Sequence, residues 1–224
     1  MSEKDDHPAS VTLPKILPVF PLEGALLLPH GHLPLHVFEP RYRAMVEAAL
    51  GLGRMMGMVQ PRLGYAHPIP DNAQLFNVGC AGRIVSFSET DDGRFLITLK
   101  GICRFKVAEE LPNDESGFRI VQPDFSSFED DIASNEDAAL DRPRLLAAAK
   151  NYLQTNSISC DWSAVEAASL PAIITSLAMS CPFEPGEKQA LLESASLTER
   201  GNLLISLFEM ALIENETGAG TTLH

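Results

Sequence analysis

Asp91-Asp92-Gly93-Arg94-Phe95-Leu96-Ile97-Thr98-Leu99-Lys100-Gly101-Ile102-Cys103-Arg104-Phe105-Lys106-Val107 is the stretch on which the fold turns. Phe95, Ile97 and Leu99 alternate with Leu96, Thr98 and Lys100, the period-two pattern of a strand with one buried face. Asp91-Asp92-Gly93 is a turn signal, so Val78 to Ser88 and Arg94 to Lys100 are expected to pair as an antiparallel hairpin. Gly101 is expected to bend the chain into a further strand through Cys103, Phe105 and Val107. Working outward, Ile16 to Phe20, Leu33 to Phe38, Met55 to Gln60 and Phe118 to Gln122 read as additional short strands separated by Pro and Gly, the pattern of a small barrel or sandwich. One helix interrupts them. It starts at Glu39-Pro40, buries Tyr42, Met45, Val46 and Ala49 at i, i+3, i+4, i+7 spacing, and stops at Gly51.

After residue 125 the pattern changes. Residues 126–140 hold Glu129, Asp130, Asp131, Glu136 and Asp137 without a Lys or Arg and read as a solvated acidic linker. Beyond it the periodicity is helical. Leu145, Leu146, Ala149, Tyr152 and Leu153 mark one helix; Ser163 and Glu166 are spaced as a capping box for the next; Pro171 opens a helix through Ile173, Ile174, Leu177 and Ala178 that Pro182 ends. Pro185 opens a short helix through Leu191 and Leu192. Ser196 and Glu199 form a second capping box ahead of Leu203, Leu204, Leu207, Phe208, Ala211 and Leu212. The expected organisation is a strand-rich unit over 10–125 with one helix, the linker 126–140, a helical bundle over 141–215 and a frayed tail over 216–224.

The whole chain has 224 residues, 45% hydrophobic and 21% charged, enough to bury a core without disulfides or metal. Its formal charge of −13 is uneven: Lys and Arg number 11 against 12 Asp and Glu in residues 10–125, but 5 against 15 in 126–224. An acidic body repels polyphosphate, which argues against nucleic acid and anionic membranes as partners. No apolar run reaches the ~18 residues of a membrane span. The N-terminal Met-Ser-Glu-Lys-Asp-Asp-His is polar and acidic, unlike a secretory leader, so the cytoplasm is the expected compartment. Cys80, Cys103, Cys160 and Cys181 contain no Cys-x-x-Cys pair and suit reduced, buried thiols.

Catalytic and cofactor motifs are not written in this chain. His30, His32 and His36 have even spacing and would share one face of a regular strand, but Pro29 and Pro34 interrupt it and no acidic or Cys ligand is placed beside them; no metal and no cofactor is expected. Gly51-Leu52-Gly53-Arg54-Met55-Met56-Gly57 lies after a helix and before a strand, the reverse of a dinucleotide loop, and reads as a helix end and turn. Phosphate-loop, His-Glu-x-x-His and Gly-x-Ser-x-Gly patterns do not occur. Met55, Met56 and Met58 form an adaptable apolar run that suits either a core strand or the edge of a peptide-binding groove.

Leu17-Pro18-Val19-Phe20-Pro21-Leu22, Leu28-Pro29, Leu33-Pro34-Leu35 and Phe38-Glu39-Pro40-Arg41-Tyr42 together resemble the N-terminal substrate-binding domain of the Lon ATP-dependent proteases. Gly79-Cys80-Ala81-Gly82-Arg83-Ile84, Lys100-Gly101-Ile102-Cys103-Arg104-Phe105, and Lys188 to Glu193 before Glu199-Arg200 extend the resemblance over roughly residues 13–213. It implies an α+β fold, a PUA-like β-barrel followed by a C-terminal α-helical bundle. It also implies a binding role toward unfolded or extended polypeptide, with other proteins of the proteolysis machinery as further partners. The ATPase phosphate loop and the Pro-x-Asp-Gly-Pro-Ser segment of the Lon peptidase are not in this sequence, so a non-enzymatic module is expected. Glu39, Arg41 and Tyr42 are the polar residues the resemblance nominates for peptide contact, beside Met55, Met56 and Met58. Glu39 also suits a helix cap, and Arg41 suits an ion pair. Two other readings stand beside this one: an RNA-binding PUA-like module using Arg54, Arg62, Arg83 and Arg104, and a small hydrolase with a constellation that no motif announces. Because the charge excess lies in the helical part, peptide contact is expected on the strand-rich unit and at its seam with the bundle.

Overall fold

β1 (Leu17–Pro21) and β3 (Met55–Val59) run parallel at the centre of the sheet, joined through β2 (His32–Val37) and α1 (Pro40–Gly51). β4 (Val78–Glu89), β5 (Phe95–Leu111) and β6 (Arg119–Asp124) follow. The computed structural model describes residues 12–62, 65, 68–133 and 138–219. The pairings β1–β3, β3–β4, β4–β5, β5–β6 and β6–β1 return on themselves, so five strands form a closed circuit, with β2 paired to the first half of β5 as a wing. Leu17, Val19, Met55, Val59, Ala81, Phe105 and Val121, drawn from every strand of that circuit, form one buried cluster, the side-chain filling a closed small sheet requires.

The hairpin forms as its sequence suggests. Thr90 and Arg94 close the turn, and Gly93 holds the left-handed conformation that only glycine adopts without strain. Gly101 does not bend the chain into a separate strand. β5 is continuous over 17 residues, and Ile102 is a bulge, since Ala81 pairs with Cys103 while Gly82 pairs with Gly101. The glycine is required by close approach, because a Cβ at 101 would lie 2.0 Å from the Leu28 carbonyl oxygen. His30 N–H donates to the Gly101 carbonyl and Gly101 N–H to that of Gly31, locking the segment before β2 onto β5. Gly101→Ala should therefore cost about 1–3 kcal/mol in urea unfolding; a loss under about 0.5 kcal/mol, the ordinary surface range, would show that the crossing segment yields.

α1 buries Tyr42, Met45, Val46 and Ala49 and carries Pro40 in its first turn, where no N–H is needed. Glu39 occupies its N-cap position, but its side chain makes no capping bond.

The helical part holds α2 (Arg142–Thr155), α3 (Trp162–Ala167), α4 (Leu170–Ser180), α5 (Pro185–Glu193) and α6 (Leu197–Ala219). Asp161, not Ser163, caps α3, accepting from the N–H groups of Ser163 and Ala164. α5 has the capping box instead, formed by Glu184 and Glu187. α6 runs to Ala219, so residues 216–219 of the expected tail continue the helix, with no proline to stop them, and 220–224 lie outside the described residues. The main core is continuous from sheet to bundle, with Phe20, Leu99, Ile174 and Phe208 in one cluster.

The acidic stretch after β6 is not simply solvated. A short 3-10 helix, Glu129–Ile132, turns Asp131 inward. Its carboxylate takes hydrogen bonds from Nε and Nη2 of Arg104 at 2.9 and 2.8 Å and from the Arg104 backbone N–H at 2.9 Å. The two side chains are 6% and 8% exposed. A run of carboxylates stays in water unless a buried cation claims one, and Arg104 on β5 does so here. Residues 134–137 of that stretch lie outside the described residues.

Candidate functional site

The nominated methionines do not line a groove. Met55, Met56 and Met58 are 4%, 0% and 3% exposed. β3 has a strand on each side, and its side chains alternate between two cores: Met56 and Met58 enter the cluster shared with the bundle, Met55 and Val59 the cluster inside the strand circuit. A strand buried on both faces reads as a continuous apolar run, which is why Met55, Met56 and Met58 have no polar alternation.

Glu39, Arg41 and Tyr42 form a local pin. Arg41 pairs with Glu39 at 3.0 Å and with Asp71, donates to the Ile69 carbonyl at 2.9 Å, and lies over the Tyr42 ring. It fastens the stretch around residues 69–71 to the start of α1. Tyr42 is buried against Phe20, and burial pushes its hydroxyl up to about 12. The ion pair expected of Arg41 is present, and the capping bond expected of Glu39 is not.

The three histidines hold no common point. His30 sits in a left-handed turn, while His32 and His36 are exposed on β2. Four residues of strand separate the last two by roughly 13 Å, too far for ligands that must each approach a zinc ion to about 2 Å. Among the described residues no three His, Cys, Asp or Glu side chains could hold a metal ion. Cys80, Cys103 and Cys181 are poor nucleophiles: burial raises the Cys80 thiol, and raises Cys103 and Cys181 to about 12.

What the fold does build is a cleft of about 560 Å³ at the seam between strands and bundle. The Pro29–His32 turn forms one wall, Asp130 and Asp131 a second, α4 the floor, and Leu197 and Arg200 at the start of α6 the far side. Met179 packs so tightly on the turn that a Cβ at Gly31 would lie 2.3 Å from its sulfur. α4 buries Ile173, Ile174, Leu177 and Ala178 and presents Ser169, Thr175, Ser176 and Ser180 to the cleft. The hydroxyls of Thr175, Ser176 and Ser180 make no hydrogen bond with another described residue, whereas that of Ser169 caps the helix. The end of α5 behind the cleft is held by hydrogen bonds. Arg104 grips Asp131 and donates to the carbonyls of Leu192 and Ser194, and Arg200 donates to that of Leu191, so two arginines satisfy the end of α5. Open hydroxyls beside the apolar Pro29, Pro171, Ala172, Met179 and Leu197, with the charged Asp130, Asp131 and Arg200 around them, suit a ligand that offers both backbone polar groups and apolar side chains.

None of the four segments that meet at the cleft announces it in the sequence. The one local signal is the row of hydroxyls on α4 opposite its apolar stripe. The free edge of β2, where an extended peptide could add a strand, is blunted by Pro34, which has no N–H to offer.

Residues 16–209 match the family model described as the ATP-dependent protease La (LON) substrate-binding domain. The Lon protease of Anaeromyxobacter dehalogenans is 27% identical over 201 residues, which are 87% of this chain and 23% of that protein. Lon protease 2 of Myxococcus xanthus is 26% identical, over 87% of this chain and 24% of its own length. The chain thus spans about a quarter of these relatives. The Lon N-terminal domain protein from Xanthomonas campestris superposes with a TM-score of 0.57 at 21% identity, covering 85% of this chain and 97% of that one. The N-terminal domain of Mycobacterium avium complex Lon protease gives 0.59 at 18% identity, with 87% and 98% covered. The matched region is the substrate-binding part of these proteases rather than their ATPase or peptidase parts. With the α+β fold shared and the family model spanning nearly the whole described chain, this protein belongs to the Lon substrate-binding domain family.

Proposed function

We propose that this chain is a non-enzymatic polypeptide-binding module that seats an extended or unfolded segment in the seam cleft. In this reading the closed strand circuit is a PUA-like barrel within residues 10–125, residues 126–140 join it to the bundle of 141–215, and the module works in the cytoplasm beside proteolytic machinery. The observation that carries it is the family match over 16–209 together with an open cleft whose hydroxyl and apolar lining suits a peptide. The RNA reading loses one of its four cations, because Arg104 is buried against Asp131.

Calorimetric titration with a reduced, unfolded polypeptide tests the proposal. The wild-type protein should bind with a dissociation constant below millimolar. Ser176→Trp, at an exposed position on the cleft floor, should weaken binding about tenfold by filling the space, with an unchanged melting temperature. No binding by the wild-type protein, or undiminished binding by the folded variant, sinks the cleft assignment.

A further inference from the structure

Lys100 on β5 is the cross-strand partner of Arg83 on β4 and of His32 on β2, so three basic side chains stand in a row on the outer face of the wing. All three are exposed, as is Arg54, which precedes Met55, the β3 partner of Arg83. None of these four side chains makes a hydrogen bond or ion pair with another described residue. Like charges directly opposite one another on a sheet are unfavourable, and this chain, at −13, has carboxylates to spare. It uses them elsewhere: Arg41, Arg94, Arg104, Arg119 and Arg144 are each paired. Other cations also lack a carboxylate partner, but in this row unpaired basic side chains lie side by side in strand register. Beyond it the same face continues through Thr98, Ser86 and Ser88 to Leu96 and His36, around a shallow concavity of about 360 Å³. His32 also lines the seam cleft, so the row starts at the cleft mouth.

We infer that this face binds an acidic stretch of the same extended polypeptide whose neighbouring residues occupy the cleft, with Arg83 and Lys100 as the specificity-determining pair. The inference rests on the polypeptide-binding reading and names the class of client: segments in which two or three Asp or Glu flank an apolar residue. A short acidic stretch matches the few cations present, while the hydroxyls and Leu96 meet its uncharged neighbours. A long polyanion would instead meet the net negative body around the row.

Fluorescence anisotropy with two labelled peptides, identical except that Asp and Glu in one are Asn and Gln in the other, tests this. Wild-type protein at low salt should bind the acidic peptide at least about tenfold tighter, and salt should erase the difference. Arg83→Glu combined with Lys100→Glu should abolish the preference and leave the neutral peptide within about twofold. If that double variant misfolds, Arg83→Gln and Lys100→Gln singly carry the test, and each should narrow the preference. Equal affinities for both peptides overturn the inference but leave the module standing, provided Ser176→Trp still weakens them. If neither peptide binds, the polypeptide-binding reading itself fails. The same variants abolishing retention of an RNA oligonucleotide, or abolishing self-association in sedimentation, would reassign the row to nucleic acid or to a second copy and overturn the peptide assignment.

Discussion

Replacing Arg104 by Ala is expected to lower the unfolding free energy by about 3–5 kcal/mol, because it strips a buried carboxylate of its counter-charge. Asp131 would keep its position on the 3-10 helix with its side chain almost wholly out of water. The carbonyls of Leu192 and Ser194, at and just beyond the end of α5, would lose their donor as well. Asp131→Asn leaves a neutral amide against the guanidinium and should also destabilise. Joining Arg104→Met to Asp131→Leu should cost less than the two single changes summed, since neither charge is then stranded. Urea unfolding followed by circular dichroism gives the loss for each variant, including Arg104→Met and Asp131→Leu singly. A loss below about 1 kcal/mol for Arg104→Ala, the level of an exposed pair, would show that water reaches the site.

The same pair shows why part of this molecule is legible in its sequence and part is not. Short-range patterns hold: the alternation through Phe95, Ile97 and Leu99 gives a strand, Asp91-Asp92-Gly93 its turn, and Tyr42, Met45, Val46 and Ala49 the buried stripe of α1. Each is set by residues within one turn or one hairpin. Asp131 reads as solvent because its partner lies 27 residues away on β5. Gly101 reads as a bend because the carbonyl that forbids a side chain there comes from Leu28. The cleft needs the β1–β2 connection, the 3-10 helix, α4 and α6 to meet, and the basic row needs the registers of β2 and β4 on β5. No local period encodes any of these meetings.

The seam is also why bundle and strands should unfold together. Gln60 at the end of β3 donates to the Pro185 carbonyl and to Gln189, Gln189 donates to the Val78 carbonyl, and Lys188 reaches the Gly24 carbonyl. Burial lowers the pKa of Lys188. Gln60 and Gln189 are buried, so separating the two halves would expose apolar surface and leave these polar groups without protein partners. α5 is thus tied to the strand side as well as to the other helices.

Met56→Ala is expected to cost about 2–5 kcal/mol of stability while leaving the peptide affinity of the folded fraction unchanged. Met56 is wholly buried, opposite Gly82 on β4, in the core that strands and bundle share. Removing its thioether opens a void that neighbours on both sides of β3 cannot close, because that strand is held by β1 in parallel and β4 in antiparallel pairing. Ser176→Trp should do the opposite, sparing the melt and weakening the complex, since Ser176 faces the cleft from the exposed side of α4. Thermal melts run beside anisotropy titrations at a temperature where Met56→Ala remains folded separate the two variants. Unchanged stability with lost affinity for Met56→Ala would return the binding surface to the methionine strand. A lowered melt with unchanged affinity keeps that strand in the core and binding in the cleft, where α4 offers hydroxyls that β3, buried on both faces, cannot.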